Sequence, residues 1–501
     1  MALSRTDERG LHAAYAILQR VVALALESDL RAGTMSDVDE SVLAVHDAIQ
    51  ASLQRMFVMD MDSTASAQTT MPAEPGGLAI RSPARPGGHH LAKWSALAAA
   101  LQPAKELCAE LEFATIWGMV DAEMKHTADS LKHFGIDVTS GKPVLTLEAQ
   151  KEVQDCAATA EIFAFDELKQ RALPPDRSRL QGRGGKLIDM VRLARGWPKM
   201  SQWRQETILS QAGVGEGTLF GDISADEREG WLADHHFGHA VLTRMGAPVC
   251  APGHRCSLTP QSGPRKGIQC QQPLDRHGRH LQPCRAGGIA TRLHHSLRRR
   301  LATSLRESGL RAEEEIVLPE LSQITDDGVK EGRMDIVVTR PGGVSRYLID
   351  VATCDARAAR SGSCRTSFNL AEQDKFNRYK GSAWPFAVEH RGRLGERALD
   401  LLEILAGEAA LLGGGRPSTL VRKWRRQLQL VAAFELAEVM RAQLCGLADD
   451  KLASASTNAA DSKSAKYKSS PSNACVVPSP QPPLHAHALS ACTLHASAAS
   501  T

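Results

Sequence analysis

A chain of 501 residues is long enough for several domains, and 43% hydrophobic residues exclude a wholly disordered polymer. Only 4% of residues are aromatic, and the 40 Gly and 24 Pro imply folded pieces separated by softer ones. The N-terminal stretch has acids where a secretory signal is basic, and no apolar run approaches the roughly 18 residues that span a bilayer, so a soluble, intracellular protein with no membrane partner is predicted. The net charge of +3 hides an asymmetry: between His254 and Arg311 twelve Lys and Arg face only Asp275 and Glu307. That segment is a candidate for binding polyanions, with Arg298, Arg299 and Arg300 as its densest run.

In chain order, residues 1–61 predict a helical hairpin, its second helix capped near Ser36–Asp37 and carrying Val42, Leu43, Val45, Ile49 and Leu53 at helical spacing. Residues 62–90, rich in Ser, Thr, Pro and Gly, predict a linker. Residues 91–245 predict a mainly helical domain, with helices near 91–133 and 146–172, a stop at Pro174–Pro175, and a capping box at Ser224 and Glu227 before a helix from Trp231 to Met245. Beyond 288 the pattern becomes αβββαβ: a helix (Thr291–Ser308), three strands (Glu315–Leu318, Met334–Thr339, Tyr347–Ala352), a helix (Leu370–Tyr379) and a strand (Pro385–Glu389). Helices follow over 395–446, including the basic run Arg422-Lys423-Trp424-Arg425-Arg426. The small, polar residues of 447–501 predict a disordered tail. The fold class is therefore α+β, with a helical N-terminal part and helical C-terminal additions.

Eleven cysteines in a reducing compartment argue against a disulfide framework, and their clustering argues for metal. Residues 246–288 offer Cys250, His254, Cys256, Cys270, His277, His280 and Cys284. Zinc needs four thiolate or imidazole donors at one tetrahedral point, and the turn through Asp275 and Gly278 brings the later ones together. Cys256, Cys270, His280 and Cys284 are the chosen set for a structural Zn²⁺, with Cys250 and His277 as substitutes.

Two strands flank Pro341-Gly342-Gly343-Val344, and a two-residue turn at Gly342-Gly343 sets Asp335 directly opposite Asp350 on one sheet face. Like charges so placed destabilise a sheet unless something neutralises them, and a hard divalent cation such as Mg²⁺ or Mn²⁺ suits two carboxylates. On the following helix Glu372, Lys375 and Tyr379 share a face, and Lys375 is placed to stabilise charge on a phosphate under attack. Glu315 on the first strand is a further candidate ligand.

These residues carry a resemblance. Leu209–Gly213, the Cys/His segment closing in Leu274–His280 and Cys284, Gly287-Gly288, Arg333-Met334-Asp335, Asp350-Val351-Ala352 and Glu389–Gly395 together resemble the region that follows the reverse transcriptase in non-LTR retrotransposon polyproteins. The resemblance implies that 246–288 is a zinc knuckle gripping nucleic acid. It implies that 289–394 is a restriction-endonuclease-like, PD-(D/E)XK domain that nicks target DNA in the nucleus with Mg²⁺ or Mn²⁺. Asp335 matches the first motif Asp, with Met334 where Pro is usual, and Asp350 matches the (D/E). The Lys position holds Ala352, which nominates Lys375 from the next helix as the catalytic cation. No reverse transcriptase signature occurs in residues 1–200. Alternative readings are an inactive module binding DNA or RNA, and a helical protein-interaction scaffold.

Overall fold

The computed structural model describes, apart from short gaps, residues 10–19, 38–80, 88–107, 114–160, 180–211, 218–221, 232–355 and 364–462. The caps expected at Ser36–Asp37 and Ser224, and the stop at Pro174–Pro175, lie outside the described residues.

The N-terminal part is helical: α1 (Gly10–Ile17), α2 (Val38–Phe57), α3 (Ser63–Thr70), α4 (Gly88–Leu107) and α5 (Ala114–His133) lead to a two-stranded hairpin, β1 (Ile136–Asp137) and β2 (Val144–Leu145). Then come α6 (Leu147–Ala160), α7 (Leu180–Gly196), α8 (Gln202–Gln211), a single turn at Thr218–Gly221 and α9 (Asp234–Arg244). Tyr15 of α1 and Ile49, Leu53 and Phe57 of α2 share a core with Phe237 and Val241 of α9. The two described helices of the first sixty residues, α1 and α2, thus pack into a larger helical assembly.

Residues 62–71 and 76–80 correct the expectation of a linker over 62–90, of which 72–75 and 81–87 lie outside the described residues. Asp62 caps α3, its Oδ1 accepting from Ala65 N at 2.6 Å, and Leu78 and Ile80 enter the α1–α2–α9 core. Gln68 anchors the return, its Nε2 donating to Gly76 O at 3.0 Å and to Arg244 O at 2.9 Å. Composition averaged over the stretch hid these few apolar and capping residues, and they outweigh its turn formers because burying each large aliphatic side chain is worth roughly 1.5–3 kcal/mol.

The second half contains α10 (Ile289–Glu307), β3 (Arg311–Val317), a small hairpin of β4 (Gln323–Thr325) and β5 (Gly328–Lys330), β6 (Arg333–Thr339), β7 (Arg346–Cys354), α11 (Cys364–Arg378), β8 (Trp384–Glu389), α12 (Glu396–Leu411) and α13 (Pro417–Ser462). The β4–β5 hairpin was not legible in the sequence. A four-stranded sheet runs β3-β6-β7-β8; the first three strands are antiparallel, and β8 lies parallel to β7 after the α11 crossover. Alternation divides the faces. Ile336, Val338, Ile349, Val351, Phe386 and Val388 pack with Leu293, Leu297, Leu301 and Leu305 of α10 and with α12 and Trp424 of α13. On the other face Cys354 and Ala387 pack with Phe368 of α11.

α13 continues to Ser462, so the backbone of 447–462 is helical where a disordered tail was expected. This stretch is rich in Ala and contains neither Pro nor Gly, and local helix propensity favours extension. Residues 463–501 lie outside the described residues.

Candidate metal centre and carboxylate site

The Cys/His segment is held by paired backbone rather than by long regular elements. Cys256 N donates to Gln272 O at 2.8 Å, Gln271 N to Cys256 O at 2.8 Å and Cys270 N to Leu258 O at 2.9 Å, so two extended stretches bring Cys256 beside Cys270. The Asp275 carboxylate then accepts from the backbone N–H of His277 at 3.0 Å and of Arg279 at 2.9 Å. Gly278 takes φ +63°, a left-handed conformation that favours glycine, and swings His280 back toward the thiols.

Cys256 Sγ lies 3.7 Å from Cys284 Sγ, and Cys270 Sγ lies 3.1 Å from His280 Nε2. All four ligand atoms fall within 4.8 Å of one another. Zn–S bonds of about 2.3 Å around a tetrahedral ion place sulfurs roughly 3.8 Å apart, so this Cys₃His group can hold a metal such as zinc. Burial, with Cys284 and Cys270 alongside, pushes the Cys256 thiol up to about 12, whereas burial lowers His280 and keeps its imidazole neutral. A cation is what would draw the thiol proton off. The two substitutes are used otherwise. His277 packs on Trp203 with ring centroids 4.8 Å apart, and Cys250 lies outside the four-donor group, buried against Leu436, Val439 and Met440 of α13.

The aspartate pair sits where β6 and β7 part. Their ladder runs from Thr339↔Arg346 to Ile336↔Ile349, and one step further sets Asp335 opposite Asp350. The connection is longer than the two-residue turn expected, but it is centred on Gly342 and Gly343, both at positive φ, which keeps the register. Past Ile336 the Asp335 carboxylate replaces a backbone acceptor, Oδ2 taking the Val351 N–H at 2.7 Å. Its other oxygen, Oδ1, lies 3.3 Å from His294 Nε2 of α10. Asp350 is 4% exposed, and Lys375 Nζ of α11 reaches its Oδ1 at 3.1 Å and its Oδ2 at 3.0 Å.

Environment separates the two acids. Burial raises Asp335, but bonds from His294, Asp350 and Val351 N–H hold it below the usual carboxylate range. Burial and the facing Asp335 push Asp350 up to about 6, against the pull of Lys375. Tyr379 also bonds to Asp350, and burial with that neighbour pushes its phenol up to about 12. Asp335, Asp350 and Lys375 therefore converge, and His294 joins them. Sequence reasoning missed His294 because a histidine on an amphipathic helix carries no periodic signal of its own.

Glu315 lies opposite Asp335 in the β3–β6 register, but its carboxylate is engaged by Arg298. Glu372 belongs elsewhere on α11: it is 5% exposed, lies 3.9 Å from Arg397 Nε, and packs so closely under Gly395 that a Cβ there would sit 2.3 Å from its Oε1. Burial pushes Glu372 up to about 7 against the pull of Arg397. Between pH of about 4.5 and 7 the folded state keeps a proton that the unfolded state has released, so Glu372 lowers stability as pH rises through that window. Glu372→Gln is expected to be more stable than the parent at pH 8 by on the order of 2 kcal/mol, with the gain vanishing near pH 4. Paired thermal melts at the two pH values check it; an equal difference at both would reject it.

The basic segment is less available than its composition suggested. Arg298 is 7% exposed and pairs with Glu314 and Glu315; Arg300 pairs with Glu307 and Arg292 with Glu435. Trp424, Arg425 and Arg426 are buried, whereas Arg422 and Lys423 are exposed, so only the first two residues of the run at 422–426 face solvent. Among the described residues Lys266, Arg276 and Arg299 are exposed basic side chains of this segment without an ion pair.

No protein-family model matches this chain, and no curated protein matches it. Among the described residues no helix is long and apolar enough to cross a membrane.

Proposed function

We propose that this chain is a metal-dependent DNA endonuclease of retroelement origin that nicks duplex DNA in the nucleus, with a zinc knuckle beside a restriction-endonuclease-like catalytic domain. The observation that carries the reading is the convergence of Asp335, Asp350 and Lys375 where two strands separate. The αβββαβ order, with three antiparallel strands and a final parallel one, is the arrangement such a domain requires. Asp335 and Asp350 would hold Mg²⁺ or Mn²⁺, which when bound supplies Lewis acidity and an activated water near neutral pH. Lys375 offers its ammonium to the charge that builds on the phosphate. His294 positions Asp335, and Tyr379 positions Asp350, so neither carboxylate must reorganise during the reaction.

Supercoiled plasmid incubated with the protein and Mg²⁺ or Mn²⁺ is expected to yield nicked circles, and none with chelator. Binding without nicking would overturn the enzyme in favour of a module that only grips DNA or RNA. Ala352 at the usual lysine position is the feature that favours this second reading.

The grip separates two neighbouring arginines. Arg299→Ala is expected to leave stability nearly unchanged, weaken binding to all DNA sequences alike and flatten the salt dependence. Arg298→Ala is expected to cost about 3 kcal/mol, because it strips a buried cation from Glu314 and Glu315. Denaturant melts and filter binding across a salt series read both; equal effects at the two positions would refute the distinction.

A further inference from the structure

A second donor group shares no residue with the Cys₃His group or the aspartate pair. α9 opens with Asp234-His235-His236, and Glu438 of α13 comes against the two imidazoles. His236 Nε2 lies 2.7 Å from Glu438 Oε1, and His235 Nε2 lies 3.5 Å from the same oxygen. Each residue offers one donor atom, and the three fall within 4.8 Å of one another. Successive side chains on a helix point about 100° apart and do not ordinarily meet. Here the two rings lie 3.8 Å apart, centroid to centroid, and both reach one carboxylate. Phe434 closes the far side of His236 at 4.4 Å.

We infer that His235, His236 and Glu438 form a second site for a divalent transition metal, Zn²⁺ or an ion of similar preference, that ties α9 to α13. Imidazole and carboxylate are donors such ions take, and bonds of about 2.0–2.1 Å place tetrahedral ligand atoms roughly 3.3 Å apart. The spacings present, 2.7 and 3.5 Å, bracket that value. Three protein ligands leave one position for water. The site spans 202 residues of sequence between His236 and Glu438, so a bound ion cross-links the helical N-terminal part to the C-terminal helix. Arg441 lies beside it, with Nη1 3.4 Å from His235 Nε2 and 3.7 Å from Glu438 Oε1. Its side chain is 56% exposed and attached by a flexible stem, so it can swing into solvent as a metal enters.

Titration of the full chain with Co²⁺ separates this site from the Cys₃His group, because only thiolate ligands give an intense near-ultraviolet charge-transfer band. In an Asp350→Ala background, which removes the carboxylate-pair site from parent and variants alike, the parent is expected to take up two equivalents, one with that band and one without. Glu438→Gln keeps the shape and a hydrogen bond to His236, and His235→Ala changes an exposed side chain, so both are expected to fold as the parent does by circular dichroism. Each should retain the thiolate band while losing affinity for the other equivalent by more than the roughly 10–100-fold that a change outside the ligand shell costs. Uptake by the parent of thiolate-bound metal alone would overturn the proposal. So would a second equivalent held by both variants with the parent's affinity.

Discussion

Asp350→Ala is expected to abolish metal-dependent nicking, by a factor on the order of 10²–10³ or more, while DNA binding is nearly unchanged. The reason lies in what surrounds the carboxylate. It is buried, bonded to Lys375 and set against Asp335, so it stands at the meeting point of every charged group in the cleft. Removing it leaves Lys375 without its counter-charge and Asp335 without its partner, whereas the exposed basic side chains proposed to grip DNA, Arg299 among them, lie elsewhere in the chain. Asp335→Ala is expected to do the same and also to free the Val351 N–H, so some loss of stability should accompany it.

Lys375→Ala tests the cation. Its rate should fall with KM for DNA little changed, because the ammonium acts on charge that develops during the reaction rather than on the bound ground state. Ala352 is buried on the same strand two residues beyond Asp350, and so on the same sheet face. Ala352→Lys in the parent would therefore set a second ammonium beside the first. The informative rescue is Ala352→Lys combined with Lys375→Ala, which moves the cation from α11 to β7. Nicking by Asp350→Ala at the parent rate would reject the site outright.

Denying a metal to the Cys256, Cys270, His280 and Cys284 group should unfold the segment around it. Apparent binding free energies for structural zinc are about 10–16 kcal/mol near neutral pH, and most of that is folding free energy when the segment has no other core. Among the described residues the segment has little: its buried hydrophobic side chains are Cys250, Cys256, Cys284, Leu274 and Leu281, resting on Ile289 of α10 and on Leu436, Val439 and Met440 of α13. Cys284→Ser or a strong chelator is thus expected to strip the thiolate-bound cobalt signal, uncover that apolar stripe of α13 and lower the melting temperature. Asp275→Ala should be milder, costing about 1–2 kcal/mol through two lost backbone hydrogen bonds, with metal retained. A Cys284→Ser protein with the parent's melting temperature and metal content would refute the structural role.

What the sequence determined by itself was whatever depends on local order. Alternation of apolar residues in Met334–Thr339 and Tyr347–Ala352, with glycines between them, was enough for two antiparallel strands and for the register that sets Asp335 opposite Asp350. Donor spacing around Gly278 was enough to choose Cys256, Cys270, His280 and Cys284. Tertiary structure alone decided the rest, because it turns on residues distant in the chain. His294 reaches Asp335 from α10, although the two residues are about forty apart in sequence. Arg298 left the polyanion-binding set because Glu314 and Glu315 fold back on it, and Arg425 and Arg426 did so because Trp424 carries their helix into the core. The presumed linker became structure because Leu78 and Ile80 found an apolar surface made by α1, α2 and α9. Charge and composition are sums over neighbours in sequence, whereas burial and ion pairing are set by neighbours in space, and only the fold says which those are.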